Sequence, residues 1–592
     1  MSSPNRPSHL RLVLILLVTF FAYAPALRND FTMDDRYVAL GVGDQPREGN
    51  RYVSELHSPA TYFSTHYWAG QSDSSRLLRP VTVMSFALRH HFFGDCAWVA
   101  HLANLLLHLL AVWLTYLMVR ELGGSRLTAE VAALVFGLHA IHSEAVIGIV
   151  GRAELLGFCF GAAGLLVMVR SASYRLLGQG LQISAASVLL FLAFASKENA
   201  LAWAPFALAF GVARRAARGT PILSSMRSAL LPAVAVIVPL FVFLHLRARM
   251  LTATPAITHQ DILGLVNPLA NADTVSRILT AFFVWGFALV QQIAPFDLSA
   301  DYGTSVFPII GGFGDPLALV SYLALGIFVT MLVMSLRYAR QQPLLFSAVA
   351  CFLGFSFLTS NVPLSIGTIY GERLYYTPSL GFAFAIGWVA QTVATRERLR
   401  TPLVALGGAW IGACVLVIVQ RAGVWRDDAA LFVHEARSQP RSVRMHLCAA
   451  AICNRGDQKG AALEHCKAAV WLDPGCSWAW LHLGITHLER DKFDLAIDAF
   501  ERGIARSRPQ SLNLIAEHYY SGYGIALAKK DRLAEALGAF ERSLATGRHG
   551  LAQSKAAAGI LARITHDKAV SQELRHRAAR VGQRAWPAGP PK

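Results

Sequence analysis

The sequence predicts an all-α protein: a polytopic bundle of transmembrane helices followed by a short α-solenoid of tetratricopeptide repeats. Three observations carry this reading. Of 592 residues, 54% are hydrophobic and only 15% are charged, against about 25% charged in a globular chain; this excludes a soluble enzyme and a disordered chain. Apolar residues come in runs of about 15–22, enough to cross a bilayer as helix. After Gln420 the composition changes, with Lys and Glu appearing and the apolar residues taking an amphipathic spacing. The formal charge of +17 points to nucleic acid only at first glance, because excess Arg belongs in the cytoplasmic loops of a membrane protein. Of the cations, 45 are Arg and 9 are Lys, and only Lys197 precedes residue 459.

The basic leader MSSPNRPSHLR precedes the apolar run Leu12–Leu27. Ala22-Tyr-Ala24 resembles a signal-peptidase site, but Pro25 follows it directly and many apolar runs come later, so the segment reads as an uncleaved first anchor. Further apolar segments fall at Trp98–Val119, Val131–Val150, Leu155–Val169, Ile183–Val212, Leu230–Leu246, Ile278–Ile293, Leu317–Leu336, Leu344–Thr359, Leu374–Ala394 and Leu403–Val419. Arg clusters near 120–126, 170–175, 214–218, 337–340 and 396–400 set the orientation if they are cytoplasmic. Ile183–Val212 is then a hairpin broken near Ser196-Lys197-Glu198-Asn199, and Ile278–Ile293 is left re-entrant or interfacial. The expectation is about eleven crossings, with the N-terminus inside and the C-terminus outside.

Beyond the last span, Trp480, Leu483, Gly484, Ala496 and Phe500 fall at tetratricopeptide spacing, and Tyr520, Gly524, Ala536 and Phe540 repeat it 40 residues later. That is one unit of about 34 residues plus a short insertion. Three or four repeats are expected. The boundaries are 1–422 for the membrane domain (with 28–97 as first outer loop), 423–566 for the repeats and 567–592 for a basic, frayed tail. Cys453 and Cys466 flank a turn between two repeat helices, a placement that permits a disulfide outside the cytoplasm.

Ionisable groups at membrane depth are costly, so they mark function or internal pairing. Asp34 and Asp35 follow span one; adjacent carboxylates repel, so one pKa rises, which suits a general base or a cation site. Arg76-Leu-Leu-Arg79-Pro80 turns into a short interfacial helix, where Arg holds phosphate or snorkels. His101, Asn104 and His108 share one helix face. His139 and His142, three apart, have the spacing of metal ligands, but Glu144 points elsewhere on an ideal helix; a polar lining for an anionic headgroup, extended by Arg152 and Glu154, is favoured over a metal. Lys197 sits at the hairpin tip and either binds phosphate or pairs with Glu198. Glu372, Arg373, Tyr375 and Tyr376 precede a late span. Nearly every costly cluster falls on the side of the Asp pair, which is the chemistry of a lipid-linked anion and a base. There is no Walker or Rossmann glycine motif.

These residues resemble the transmembrane and tetratricopeptide-repeat protein O-mannosyltransferases and their bacterial relatives, within the C-type membrane glycosyltransferases. Asn29-Asp-Phe31 with Asp34-Asp35 is similar to the family's N-x-F…DD, and Arg79-Pro80-Val-Thr-Val-Met-Ser-Phe86 to R-P-L-T-x-x-S-F. His101-Leu-Ala-Asn104-Leu-Leu-Leu-His108 is similar to H-L-x-N-x-x-L-H. His139-Ala-Ile-His142-Ser-Glu144-Ala-Val, then Gly151-Arg152-Ala-Glu154, resembles H-P-x-H-[ST]-E-A-V…G-R-A-[DE], with Ala140 in place of Pro. Glu372-Arg373-Leu-Tyr375-Tyr-Thr-Pro378-Ser379 resembles E-R-x-L-Y-x-P-S, with Gly371 where Ala is usual.

The resemblance implies a C-type glycosyltransferase fold and inverting transfer of a sugar, typically mannose, from a polyprenyl or dolichyl monophosphate to Ser/Thr hydroxyls on the non-cytoplasmic face. Asp34 or Asp35 would be the catalytic base, and some of Arg79, Arg152, Lys197 and Arg373 would bind the donor phosphate. His101, Asn104, His139, His142, Glu144, Glu154, Glu372 and Tyr375 would support the site. No metal site and no cofactor beyond the lipid-linked donor are expected; a divalent metal is not favoured. Membrane lipids and an acceptor protein bound by the repeats are the expected partners, with no nucleic acid. The location implied is a bacterial inner membrane with the repeats outside the cytoplasm, or the endoplasmic reticulum membrane in a eukaryote. Two alternatives are a lipid or cell-wall glycan acceptor on the same fold, and a non-catalytic membrane scaffold.

Overall fold

The computed structural model describes residues 9–42, 49–69, 77–171, 176–219, 230–253, 266–394, 396–508, 512, 515–545, 554–567 and 570–585. Arg76 and Arg175, singled out above, lie outside them. The chain divides into two compact units, one formed by residues 1–258, 272–300 and 309–431, the other by 259–271, 301–308 and 432–592.

The first unit is a helical bundle. Its main helices are α1 (His9–Tyr23), α2 (Pro80–Phe93), α3 (Ala97–Glu121), α4 (Arg126–Leu138), α5 (Arg152–Ser171), α6 (Leu176–Phe194), α7 (Trp203–Ala217), α8 (Leu230–Ala253), α9 (Thr274–Ile293), α10 (Ala318–Arg337), α11 (Pro343–Phe357), α12 (Ser379–Val393) and α13 (Glu397–Val424). Among the described residues seven helices are long and apolar enough to cross a membrane, or eight if Arg126–Leu138 and Ala140–Ile147, bent by 48°, form one broken span. The chain is therefore read as a multi-pass membrane protein. The expected eleven crossings are not reached by length, because three further apolar helices, Gly178–Phe194, Pro343–Phe357 and Ser379–Val393, are shorter. Fifteen residues of helix rise only about 22 Å, below the ~30 Å of a hydrocarbon core.

Local chemistry sets the helix starts. Pro80 and Pro343 occupy the first turns of α2 and α11, where a missing N–H costs nothing. Ser125 caps α4 through Thr128 N, and Asp273 caps α9 through Val275 N and Ser276 N. The apolar run Ile183–Val212 is broken as expected, with α6 ending at Phe194 and α7 starting at Trp203.

Helix α9 is long enough to cross, which the Arg pattern did not anticipate, yet its route is that of a re-entrant segment. Arg277 near its start donates to the carbonyls of Asn361 and Val362. The carbonyl of Ile293 at its end accepts from Trp410, halfway along α13. A few residues later Leu298 accepts from Arg421 near the end of α13, and Ser299 N donates to Glu372 at 2.6 Å. The chain thus enters and leaves beside the same 361–372 loop.

The second unit pairs α14 (Val443–Arg455) with α15 (Lys459–Leu472), α16 (Ser477–Glu489) with α17 (Phe493–Arg506), α18 (Ala516–Lys529) with α19 (Leu533–Ala545), and α20 (Ser554–His566) with α21 (Gln572–Ala585). The small repeat residues do what their spacing demands. A Cβ on Gly484 would stand 2.6 Å from the Phe500 ring, and one on Gly524 would stand 2.6 Å from Phe540. Tyr519 is the fully buried aromatic of its repeat and donates to the Phe500 carbonyl at 2.9 Å, whereas Tyr520 is only half-buried. Each of the first three pairs turns on an aspartate in the left-handed region, Asp457, Asp491 and Asp531 with φ of 57°, 54° and 56°. The extra residues of the third unit lie between Arg506 and Ala516.

One expectation is corrected here, and of the two readings open for Cys453 and Cys466 the unpaired one is found. The segment after residue 566 carries α21, with Ala578 and Val581 buried and Arg577 paired to Glu541 at 2.6 Å, so amphipathic packing orders much of the expected tail. None of the eight cysteines is in a disulfide; Cys466 meets Thr486 Oγ1 at 3.5 Å and Cys453 sits beside Gln458.

Candidate active site

The loop after α1 is pinned at several points. Asn29 Nδ2 donates to Ala422 O at 2.9 Å, Asp30 N to Arg426 O at 2.8 Å, and Met33 N to Asp428 Oδ1 at 2.9 Å. Arg36 pairs with Asp428 at 2.8 Å. Met33 has a φ of 50°, a left-handed conformation that a long side chain adopts only when its surroundings hold it there. The loop therefore presents Asp34 in a fixed attitude, half-buried.

The two aspartates differ. Asp35 is fully buried, and its carboxylate accepts from Val150 N at 2.8 Å and Thr32 N at 3.1 Å. Burial pushes its pKa up to about 7, with the Asp34 charge adding and those N–H donors opposing. Asp35 thus ties the first loop to the turn before α5 and is spent on structure, leaving Asp34 as the accessible carboxylate.

Three of the four predicted phosphate ligands share one electrostatic neighbourhood. Arg79 opens α2, donates its Nε to Glu198 at 2.9 Å and lies over the Tyr67 ring at 4.6 Å. Burial works against its charge, but Glu198, Tyr67 and Glu154 outweigh burial and raise its pKa. Lys197 pairs with Glu154 rather than with neighbouring Glu198, and Asn199 adds a bond to Glu154 at 3.1 Å. The chain is extended at Lys197, so successive side chains diverge, which is why Glu198 serves Arg79. Arg373 binds Glu144 through its backbone N at 2.7 Å and through its guanidinium. Glu144, together with Asp34 and Glu154, raises its pKa against burial. Its side chain is 31% exposed, the most open of the three, against 14% for Arg79 and 7% for Lys197.

Arg152 is not among them. It donates to Asn104 Oδ1 at 2.9 Å and to Ala100 O at 2.9 Å, and lies over Phe86 at 4.9 Å. Its electrostatic neighbours are Arg89, Asp35 and Tyr67. It joins α2, α3 and α5, so its predicted role in holding phosphate is not supported by its position.

The histidines are packing groups. His108 Nδ1 accepts from Tyr376 OH at 2.8 Å and its Nε2 donates to Gly137 O at 3.0 Å. His139 caps the turn at Ile141 and bonds Gln292 O at 2.9 Å, and His142 bonds Ser379 Oγ at 2.6 Å. His101 is buried with neither ring nitrogen in a well-formed hydrogen bond. Asn104 donates to Gly148 O at 3.0 Å. Glu372 is fully buried and receives Ser299 N, and Tyr375 stacks on Tyr370 at 5.2 Å. Among the described residues no group of three or more His, Cys, Asp or Glu side chains is placed to hold a metal.

The sequence reading missed Tyr67 and Asp428 as parts of this region, and named Asn199 beside Lys197 without a role. Asp428 was legible as a carboxylate just past the last apolar run; Tyr67 carries no spacing signal.

Comparison with known proteins bears on what this arrangement does. No protein-family model matches the chain. The human protein O-mannosyl-transferase TMTC3 is 22% identical over 564 residues, covering 89% of this chain and 59% of the relative. The mouse TMTC3 is 23% identical over 506 residues, covering 80% and 52%. The Caenorhabditis elegans protein O-mannosyl-transferase F38B6.6 is 24% identical over 481 residues, covering 79% and 64%. The chain is thus a distant homologue of these transferases over most of its length, and it spans between about half and two thirds of theirs. A crystal structure of the APC/C hetero-tetramer Cut9–Hcn1 aligns over 90% of this chain and 95% of that one at 12% identity, but its TM-score of 0.23 carries no statement about fold.

Proposed function

We propose that this chain is a membrane glycosyltransferase that moves a sugar, mannose by its kinship, from a polyprenyl or dolichyl monophosphate to Ser/Thr hydroxyls of proteins, with inversion, on the non-cytoplasmic face. The observation that carries the reading is the half-buried Asp34, fixed by a pinned loop in the electrostatic neighbourhood of Arg373. A carboxylate beside cations at the end of an apolar bundle is the pairing that a lipid-phosphate leaving group and a hydroxyl nucleophile require.

In the proposed step the acceptor hydroxyl gives its proton to the Asp34 carboxylate as its oxygen bonds to the anomeric carbon. The bond from that carbon to the phosphate oxygen breaks, and the electron pair leaves with the polyprenyl phosphate. Arg373 and Arg79 meet the charge developing there. Each guanidinium commits part of its fork to a glutamate, which fixes its plane while leaving other N–H groups for phosphate. Lys197, held by Glu154, adds charge at closer burial. No nucleotide enters this chemistry. The membrane domain acts on the donor, and the repeats bring acceptor chains, raising their local concentration.

The test is transfer of radiolabelled mannose from polyprenyl-phosphate-mannose to a Ser/Thr-rich peptide by the purified full chain, with Asp34→Asn as control. Label in the peptide that depends on Asp34 supports the reading. Label in lipid or glycan instead moves the acceptor class. Absence of any transfer from a folded preparation overturns the proposal.

A further inference from the structure

The opposite end of the bundle carries a second charged cluster that the proposed reaction does not use. Glu121 ends α3, seventeen residues and about 25 Å along the helix from Asn104. Around its carboxylate stand Arg170 at 2.7 Å, Arg214 at 2.7 Å and Arg218 at 3.7 Å. They come from the ends of α5 and α7, so three helices converge there. Arg214 is buried and fully engaged in placing the cluster, giving Nε to Glu121 and NH1 to Val169 O at 2.7 Å. Arg170 gives Glu121 only its Nε, and its side chain is 45% exposed, while that of Arg218 is 57% exposed.

The charges do not balance. One carboxylate is shared by three guanidiniums. Between α5 and α7 a shallow groove lined by Met168, Ala207, Leu208 and Gly211 runs to Arg214 and Arg215. The groove is open over Gly211, where a Cβ would meet nothing within 4 Å. A shallow, partly apolar groove beside exposed guanidinium suits an acyl chain whose headgroup is a phosphate diester. A lone interfacial Arg snorkels to any headgroup; here a half-buried carboxylate and a buried Arg214 hold the exposed forks in place.

We propose that the cluster around Glu121 is a binding site for an anionic phospholipid, its phosphate between Arg170 and Arg218 and a chain in the groove between α5 and α7. The assignment is independent of the transferase reading. The full chain, delipidated in a mild detergent, is titrated with phosphatidylglycerol, phosphatidylcholine or inorganic phosphate and followed by native mass spectrometry and by thermal midpoint. Phosphatidylglycerol should bind at least about tenfold more tightly than phosphatidylcholine and raise the midpoint, with inorganic phosphate doing neither at equal concentration. Arg170→Gln with Arg218→Gln should weaken phosphatidylglycerol about tenfold without lowering the lipid-free midpoint, since both side chains are half exposed. Gly211→Leu, filling the groove with every charge kept, should also weaken it. Equal binding of the two lipids, equal binding by the double variant, or full replacement by inorganic phosphate would overturn the proposal.

Discussion

At the Asp34 end of the bundle three cations each have a carboxylate of their own: Arg79 with Glu198, Lys197 with Glu154, Arg373 with Glu144. At the Glu121 end three guanidiniums share one. The difference separates two uses of charge in an apolar fold. One-to-one pairs, with carboxylates between 2% and 16% exposed, fix side-chain planes and leave little net field, which suits a site that must meet charge appearing only during reaction. A shared carboxylate leaves standing positive charge, which suits a resident anion.

The sharpest test of the comparison is Asp34, the half-buried carboxylate of the pinned loop. Asp34→Asn should lower the transfer rate by about 10²–10⁴-fold, the usual range for a lost general base, at unchanged thermal midpoint. Asp35→Asn should cost less in rate, because Asp35 faces Val150 and Thr32. A larger rate loss for Asp35→Asn in a folded protein would exchange the two roles.

Breaking one member of a one-to-one pair should be nearly as costly to the fold. Glu154→Gln leaves the 7%-exposed Lys197 without its counter-charge, and stranding a buried charge costs about 3–5 kcal/mol. The midpoint of the detergent-solubilised chain should fall accordingly, and the double change with Lys197→Met should recover much of it. No recovery would show that the pair does more than neutralise itself.

Asp35 sharpens the comparison through pH. Its folded pKa of about 7 lies above the ordinary carboxylate value of about 3.9, so folding favours the protonated form. The stability this contributes is fully present below about pH 4, declines as pH rises and is gone above about pH 7. The midpoint should therefore fall between about pH 4 and 7, and Asp35→Asn should flatten that slope. A midpoint that rises with pH in both proteins would contradict the assignment.

How much of this was legible in the sequence follows from range. The bundle, the break at Ser196–Asn199 and the repeat aromatics were readable because hydropathy and spacing are local. The three cations that converge were readable because each stands at an apolar helix end. Which carboxylate each meets was not, since Glu154 lies 43 residues from Lys197 and Glu144 lies 229 from Arg373. Arg152 and the histidines were read toward the site for the same reason: costly polar groups look alike in sequence whether they face a ligand or a backbone carbonyl. Crossings were overcounted by length because α11 and α12 are too short for a full core, and α21 was missed because basic composition hid its buried Ala578 and Val581.

The smallest effect is expected where the second cluster is most exposed. Arg170→Gln removes one of three guanidiniums from Glu121, yet Glu121 keeps Arg214 at 2.7 Å, so no charge is stranded. An ion pair with one side chain 45% exposed contributes about 0–1 kcal/mol, and the midpoint in lipid-free detergent should move within that limit and less still at high salt. The contrast with Glu154→Gln is the content of the prediction. Both changes delete one partner of a 2–3 Å contact, but only one leaves a buried charge alone. A fall after Arg170→Gln as large as that after Glu154→Gln would mean that the Glu121 cluster is also a closed set, with no surplus charge to offer a phosphate.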